Sequence, residues 1–73
     1  MKTKQWERQA RIDGVVWDLE LRGPWLDARR NGCQVKTVYR DGREELWASD
    51  PWPEEIVAAW QEMLDVMRRE AVR

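Results

Sequence analysis

Two tryptophans are the residues of this chain best equipped to grip another molecule: Trp25, in the stretch RGPWLDARRNG, and Trp47, in DGREELWAS. Between them in sequence lie Asp27, Arg29, Lys36 and Val38. Flat indoles beside an aliphatic side chain, rimmed by charges of both signs, match the composition of energetic centres in protein interfaces. Other chemistry is poorly supplied. The chain has no histidine, so the commonest general base and the commonest zinc ligand are both missing. Ser49 is the only serine and Cys33 the only cysteine, which leaves no activated nucleophile of the Ser-His or Cys-His kind and no intrachain disulfide. Cys33 reads instead as a small, half-buried thiol. The four glycines stand in separate turns and form no phosphate-cradling loop. Of the paired carboxylates, Glu44-Glu45 would face opposite ways along a strand, and Glu54-Glu55 suits the positive end of a helix. The expectation is a non-enzymatic protein with no catalytic residues, no cofactor and no metal site.

Seventy-three residues make one domain, 1–73, and a chain of this size buries only about 60% of the surface it exposes when unfolded. Six tryptophans with no phenylalanine offset that shortage, since each buried ring removes about 150–250 Å² from water. Thirteen Lys and Arg against fourteen Asp and Glu, spread along the chain, form no basic stripe, so nucleic acid is not the expected partner. No apolar run approaches the roughly 20 residues that span a bilayer, and MKTKQWERQAR carries no apolar secretion segment. A cytoplasmic protein with no membrane contact is expected, with fraying at Met1 to Lys4.

The elements that must position these residues follow from turns and alternation. Asp13-Gly14, Asn31-Gly32 and Asp41-Gly42 each suit a two-residue hairpin loop, and Gly23-Pro24 serves as a fourth. Strands are predicted at about 5–12, 15–22, 25–30, 33–40 and 43–48. Folding them across these turns sets Ile12 opposite Val15, Ala10 opposite Trp17, Arg8 opposite Leu19 and Trp6 opposite Leu21. It then pairs Leu21 with Leu26, Leu19 with Ala28, Ala28 with Val35, Leu26 with Thr37, Thr37 with Leu46, and Val35 with Ala48. One face thereby gathers Trp6, Leu19, Leu21, Leu26, Ala28, Val35, Leu46 and Ala48, a coincidence that a one-residue slip would destroy.

After residue 50 the period changes. Ile56, Ala59, Trp60, Met63, Leu64, Met67 and Ala71 recur at helical spacing over about 53–71, entered through Asp50 or Trp52 and closed by Arg68, Arg69 and Arg73. Trp6, Trp17 and Trp60 read as core, and Trp52 as the staple of the helix entry. The fold class is α+β: an antiparallel β-meander of five strands covered on one face by a single C-terminal α-helix. The order of five strands and one helix resembles, in order alone, that of the carbon-storage-regulator RNA-binding family, and carries no residues across.

In this register Trp25 opposes Val38 on the outer face, and Trp47 opposes Lys36 beside them. With Asp27 and Arg29, these residues form the expected partner-binding patch. A three-residue loop at Arg40-Asp41-Gly42 is the competing arrangement, which turns Trp47 inward against Val35. The expected function is a small protein-binding module, an inhibitor, adaptor or assembly factor of the kind phages and mobile elements encode. It docks a sheet face or edge on a larger protein of unknown identity, with a homodimer as a compatible outcome. The alternative is a single-stranded nucleic-acid binder that stacks bases on Trp25 and Trp47 and meets phosphates with Arg29 and Lys36.

Overall fold

The computed structural model describes residues 5–49 and 51–71; Met1 to Lys4, Asp50, Val72 and Arg73 lie outside them, as do the side chains of Gln5, Glu70 and Ala71. Five strands, β1 (Gln5–Ile12), β2 (Val15–Arg22), β3 (Trp25–Arg30), β4 (Cys33–Tyr39) and β5 (Glu44–Leu46), precede one helix, α1 (Glu54–Ala71). The strands pair in chain order as an antiparallel meander, and the helix packs on one face. The fold class is the α+β meander that the alternation predicts.

The first three strands hold the expected register throughout. Ile12 opposes Val15, Trp6 opposes Leu21, Leu21 opposes Leu26 and Leu19 opposes Ala28. Asp13 and Gly14 (φ 52° and 78°), with the paired positive φ of a type I′ loop, set the first pairing, and Asn31 and Gly32 (φ 51° and 83°) make the same turn between β3 and β4. Asn31 also ties its turn to β2, accepting from the Val16 amide at 2.9 Å and donating to the Val16 carbonyl at 2.7 Å. Arg8, the one charged residue in the apolar row, reaches up to α1 and donates to Glu62 at 2.7 Å. Trp6 shares the inner face but is 42% exposed, a rim residue where full burial is predicted.

Two departures reset the second half of the sheet. The β3–β4 pairing shifts by one between Ala28 and Arg29, so Val35 is an extra residue on β4. Beyond this bulge Leu26 opposes Val38, Asp27 opposes Thr37 and Trp25 opposes Tyr39, in place of the predicted Leu26–Thr37 and Trp25–Val38 pairs. The cause lies in spacing. Val35 and Val38 are three apart, and a regular strand sends residues an odd number apart to opposite faces. The bulge lets both enter the core, where they are 1% and 7% exposed. The next loop has three residues, Arg40-Asp41-Gly42, with Gly42 at φ 100° and the Tyr39 amide donating to the Arg43 carbonyl at 2.8 Å. It shifts β5 by one as well, so Leu46 opposes Lys36 and Glu45 opposes Thr37. These two shifts cancel at Leu46, which stays on the inner face. Trp47 lies past the end of β5, its amide and that of Ala48 both donating to the Val35 carbonyl, at 2.8 and 3.2 Å. It is 54% exposed rather than buried against Val35, although the loop is the three-residue one.

The helix starts with Glu54 and Glu55 and ends with Arg68 and Arg69, charges that suit its dipole. Ile56, Trp60, Met63 and Met67 are buried under it against Leu19, Leu21 and Leu26. At its entry Trp52 sits between two core indoles, with centroids 5.8 Å from Trp17 and 5.0 Å from Trp60, the latter edge to face at 88°. Three of the six tryptophans thus fasten helix to sheet. Yet α1 lies against β1, β2 and β3 alone, and makes no close backbone approach to β4 or β5. Val35 and Val38 of β4 are buried under its flank, while Leu46 of β5 and Val57 of the helix stay exposed.

The bulge makes a direct prediction. Val38→Asp is expected to lower stability by about 3 kcal/mol or more in urea unfolding, because it places an unpaired charge in a buried site. Trp47→Ala, at an exposed side chain, is expected to change it by less than about 1 kcal/mol. A mild effect at Val38 would put that residue on the solvent face and contradict the register.

Candidate docking groove

Where the helix stops short, its flank and the β4–β5 hairpin enclose a groove of about 470 Å³. That volume falls in the range of about 300–1,000 Å³ common to binding clefts. The helical wall is Val57, Gln61, Leu64 and Arg68, spaced four, three and four residues apart and so on one side of α1. The facing wall is Glu44 and Leu46, alternate residues of β5, with Ala48 just past the end of the strand. Lys36 and Val38 on β4 form the floor beside Trp60, and Trp52 closes the entry end. Leu46 is 62% exposed and Val57 41%, so apolar surface on both walls meets water. The charged members are partly satisfied: Lys36 reaches Glu44 at 3.7 Å and lies 5.9 Å above the Trp60 ring.

The predicted patch does not assemble. Val38 is in the core and floor of this groove, and Lys36 is on the same inner side, because the bulge turns both away from the outer face. Trp25, Asp27 and Arg29 do lie together, around a second hollow of about 390 Å³ on the outer face that is shared with Arg22, Thr37 and Tyr39. Trp47 lines neither hollow. The four residues of the nucleic-acid alternative, Trp25, Trp47, Arg29 and Lys36, are therefore divided among separate places. Cys33, predicted half-buried, is exposed at the start of β4.

The outer hollow is a polar network closed on itself. Glu7, Glu20, Asp27, Thr37 and Glu45 are successive cross-strand neighbours and make one row across all five strands. Like charges directly opposite one another are destabilising, and each carboxylate past the first is answered from within. Glu20 accepts from Arg22 at 2.8 Å, and Glu45 accepts from the Tyr39 hydroxyl at 3.0 Å. Asp27, only 3% exposed, accepts from Thr37 at 2.8 Å and Gln34 at 3.1 Å and pairs with Arg29 at 3.1 Å. Asp27 is thus a structural hub of the outer face. Its replacement by alanine leaves the buried Thr37 hydroxyl unanswered and releases Gln34 and Arg29, and is expected to cost about 1–3 kcal/mol in chemical denaturation; an unchanged midpoint would refute that role.

The groove residues that sequence reading missed are Leu46, Val57 and Leu64 as a set. The helical stripe of apolar residues is broad enough to show the surplus, since Val57 and Leu64 flank the seated residues rather than repeat them. Among the described residues no helix is long and apolar enough to cross a membrane, and no cluster of His, Cys, Asp or Glu is arranged to hold a metal ion.

The outer network also fixes a pH response. The Arg22 guanidinium, donating to Glu20, holds that carboxyl below its ordinary value of 4.5 in spite of partial burial. Unfolding breaks the contact, so the unfolded chain binds the proton more readily. The stabilisation is then fully present above the unfolded value and is lost as pH falls through the lower folded one. Glu20→Gln is expected to flatten the loss of stability between neutral and acid pH, read as urea midpoints; curves that stay parallel to those of the parent protein would contradict the coupling. Comparison with protein families, characterised proteins and solved structures finds no match to this chain.

Proposed function

We propose that the protein is a non-enzymatic binding module, an inhibitor, adaptor or assembly factor that docks on a larger protein through the open strip between its helix and β5. The observation that carries this reading is the shortfall of the helix: one helix for five strands leaves Leu46 and Val57 in water on either side of a floor made by Lys36, Val38 and Trp60. Fully burying a Leu or Val side chain contributes about 1.5–3 kcal/mol, so these two with Val38 and Leu64 beneath them can act as a small hot spot. The free edge of β5 adjoins the same wall and offers backbone groups to a partner.

The outer face supports the reading less well, because its charges are met within the chain. Leu46→Glu combined with Val57→Glu is expected to abolish capture of a partner from an extract of the source cells, with circular dichroism unchanged because both side chains are exposed. Trp25→Ala with Trp47→Ala is expected to retain it. The reverse pattern would move the docking surface to the outer tryptophans and overturn the proposal.

A further inference from the structure

On that docking reading, we infer that the occupant of the groove is one amphipathic α-helix of the partner protein, lying beside α1 above β4 and β5, with a carboxylate against Arg68. Width is the first reason. Five strands spaced about 4.8 Å apart span roughly 19 Å between the outer strand axes, and a helix with its side chains is about 10–12 Å across. The helix α1 approaches β1, β2 and β3 and buries Val35 and Val38 of β4 under its flank, so the strip left along β5 takes one more helix beside that flank.

The walls supply the second reason. On α1 the residues Ile56, Trp60, Met63 and Met67 are seated on the sheet, while Val57 and Leu64 form a second ridge turned to the groove. A ridge at these spacings receives the side chains of a neighbouring helix. An extended peptide would instead add in the plane of the sheet beyond β5, and Val57 and the inner side of Leu46 would stay in water. A second copy fits worse. Beyond the residues already seated, the helix of a second copy offers only Val57 as a large exposed apolar side chain among the described residues, too little bulk to fill two grooves set face to face.

Charge gives the third reason. Lys36 and Glu44 answer each other across the floor, whereas Arg68 makes no ion pair among the described residues. The rim therefore presents one unanswered positive charge, and the complementary helix carries Asp or Glu at that position.

The test uses the full chain and two displayed peptide pools. One has apolar residues fixed at i, i+3, i+4 and i+7, the other has them at alternate positions, and the remaining positions vary in both. Enrichment of the first pool alone is expected. Selected peptides should become helical on binding and shift the amide resonances of Leu46, Val57 and Leu64 but not Trp25. Leu46→Glu should weaken them by about tenfold or more. Arg68→Glu should weaken peptides carrying the carboxylate and favour their lysine counterparts. Enrichment of the alternating pool, or of neither, overturns the helical occupant, as does sedimentation showing a dimer that Val57→Glu dissolves. Capture from extract that depends on Leu46 and Val57 would still stand in the first of these cases, so failure of the helix and failure of docking are separable.

Discussion

The seating of α1 through Trp17, Trp52 and Trp60 is the interaction on which the rest of the molecule depends. A sheet this small, open to water on its outer face, has only one side on which to build a core, and a single helix must supply the other half of it. Interlocked indoles provide much buried area from few residues, which suits tryptophan to positions 17, 52 and 60. The same anchoring fixes the helix at one side. Trp52 enters from the β5 end, yet α1 comes to rest over β1, β2 and β3, where Arg8 and Glu62 meet across the layers. That ion pair is exposed on both sides and adds little energy; it marks the position rather than creating it.

The outer face solves a different problem. Four of the five residues in its central row are acidic, an arrangement that would repel if left alone. Arginines in the adjacent rows and hydroxyl groups of Thr37 and Tyr39 turn it into a connected network around Asp27. The two faces are thus opposite in character, one internally satisfied and polar, the other apolar and left partly open.

The order of elements, the first three strands and the helix could be read from residue types because local signals agree there. Asp13-Gly14 and Asn31-Gly32 close two-residue loops, and the apolar residues of β1, β2 and β3 alternate with Arg8 as the one exception. From β4 onward the signals conflict. Strict alternation assigns Val35 and Val38 to opposite faces, and preferring the turn-based register over the burial of both valines put Val38 outside and Lys36 with it. Asp41-Gly42 also fits loops of two or three residues, and only the tertiary pairing of Tyr39 with Arg43 selects the longer one. The site was harder to see for a related reason. Exposure of Leu46 depends on where a helix in another layer comes to rest, and no local spacing encodes that position.

The short fifth strand gives the groove two walls of unequal stiffness. One wall is a flank of an eighteen-residue helix bolted to the core by aromatic rings. The other is a three-residue strand, exposed along its length, held by three pairings to β4 and by two amides that share the Val35 carbonyl. Local opening costs least where few buried contacts oppose it, so the hairpin side can flex while the helix side stays in place. Recognition then divides between the walls: the rigid flank selects what may bind, and the compliant strand accommodates its bulk.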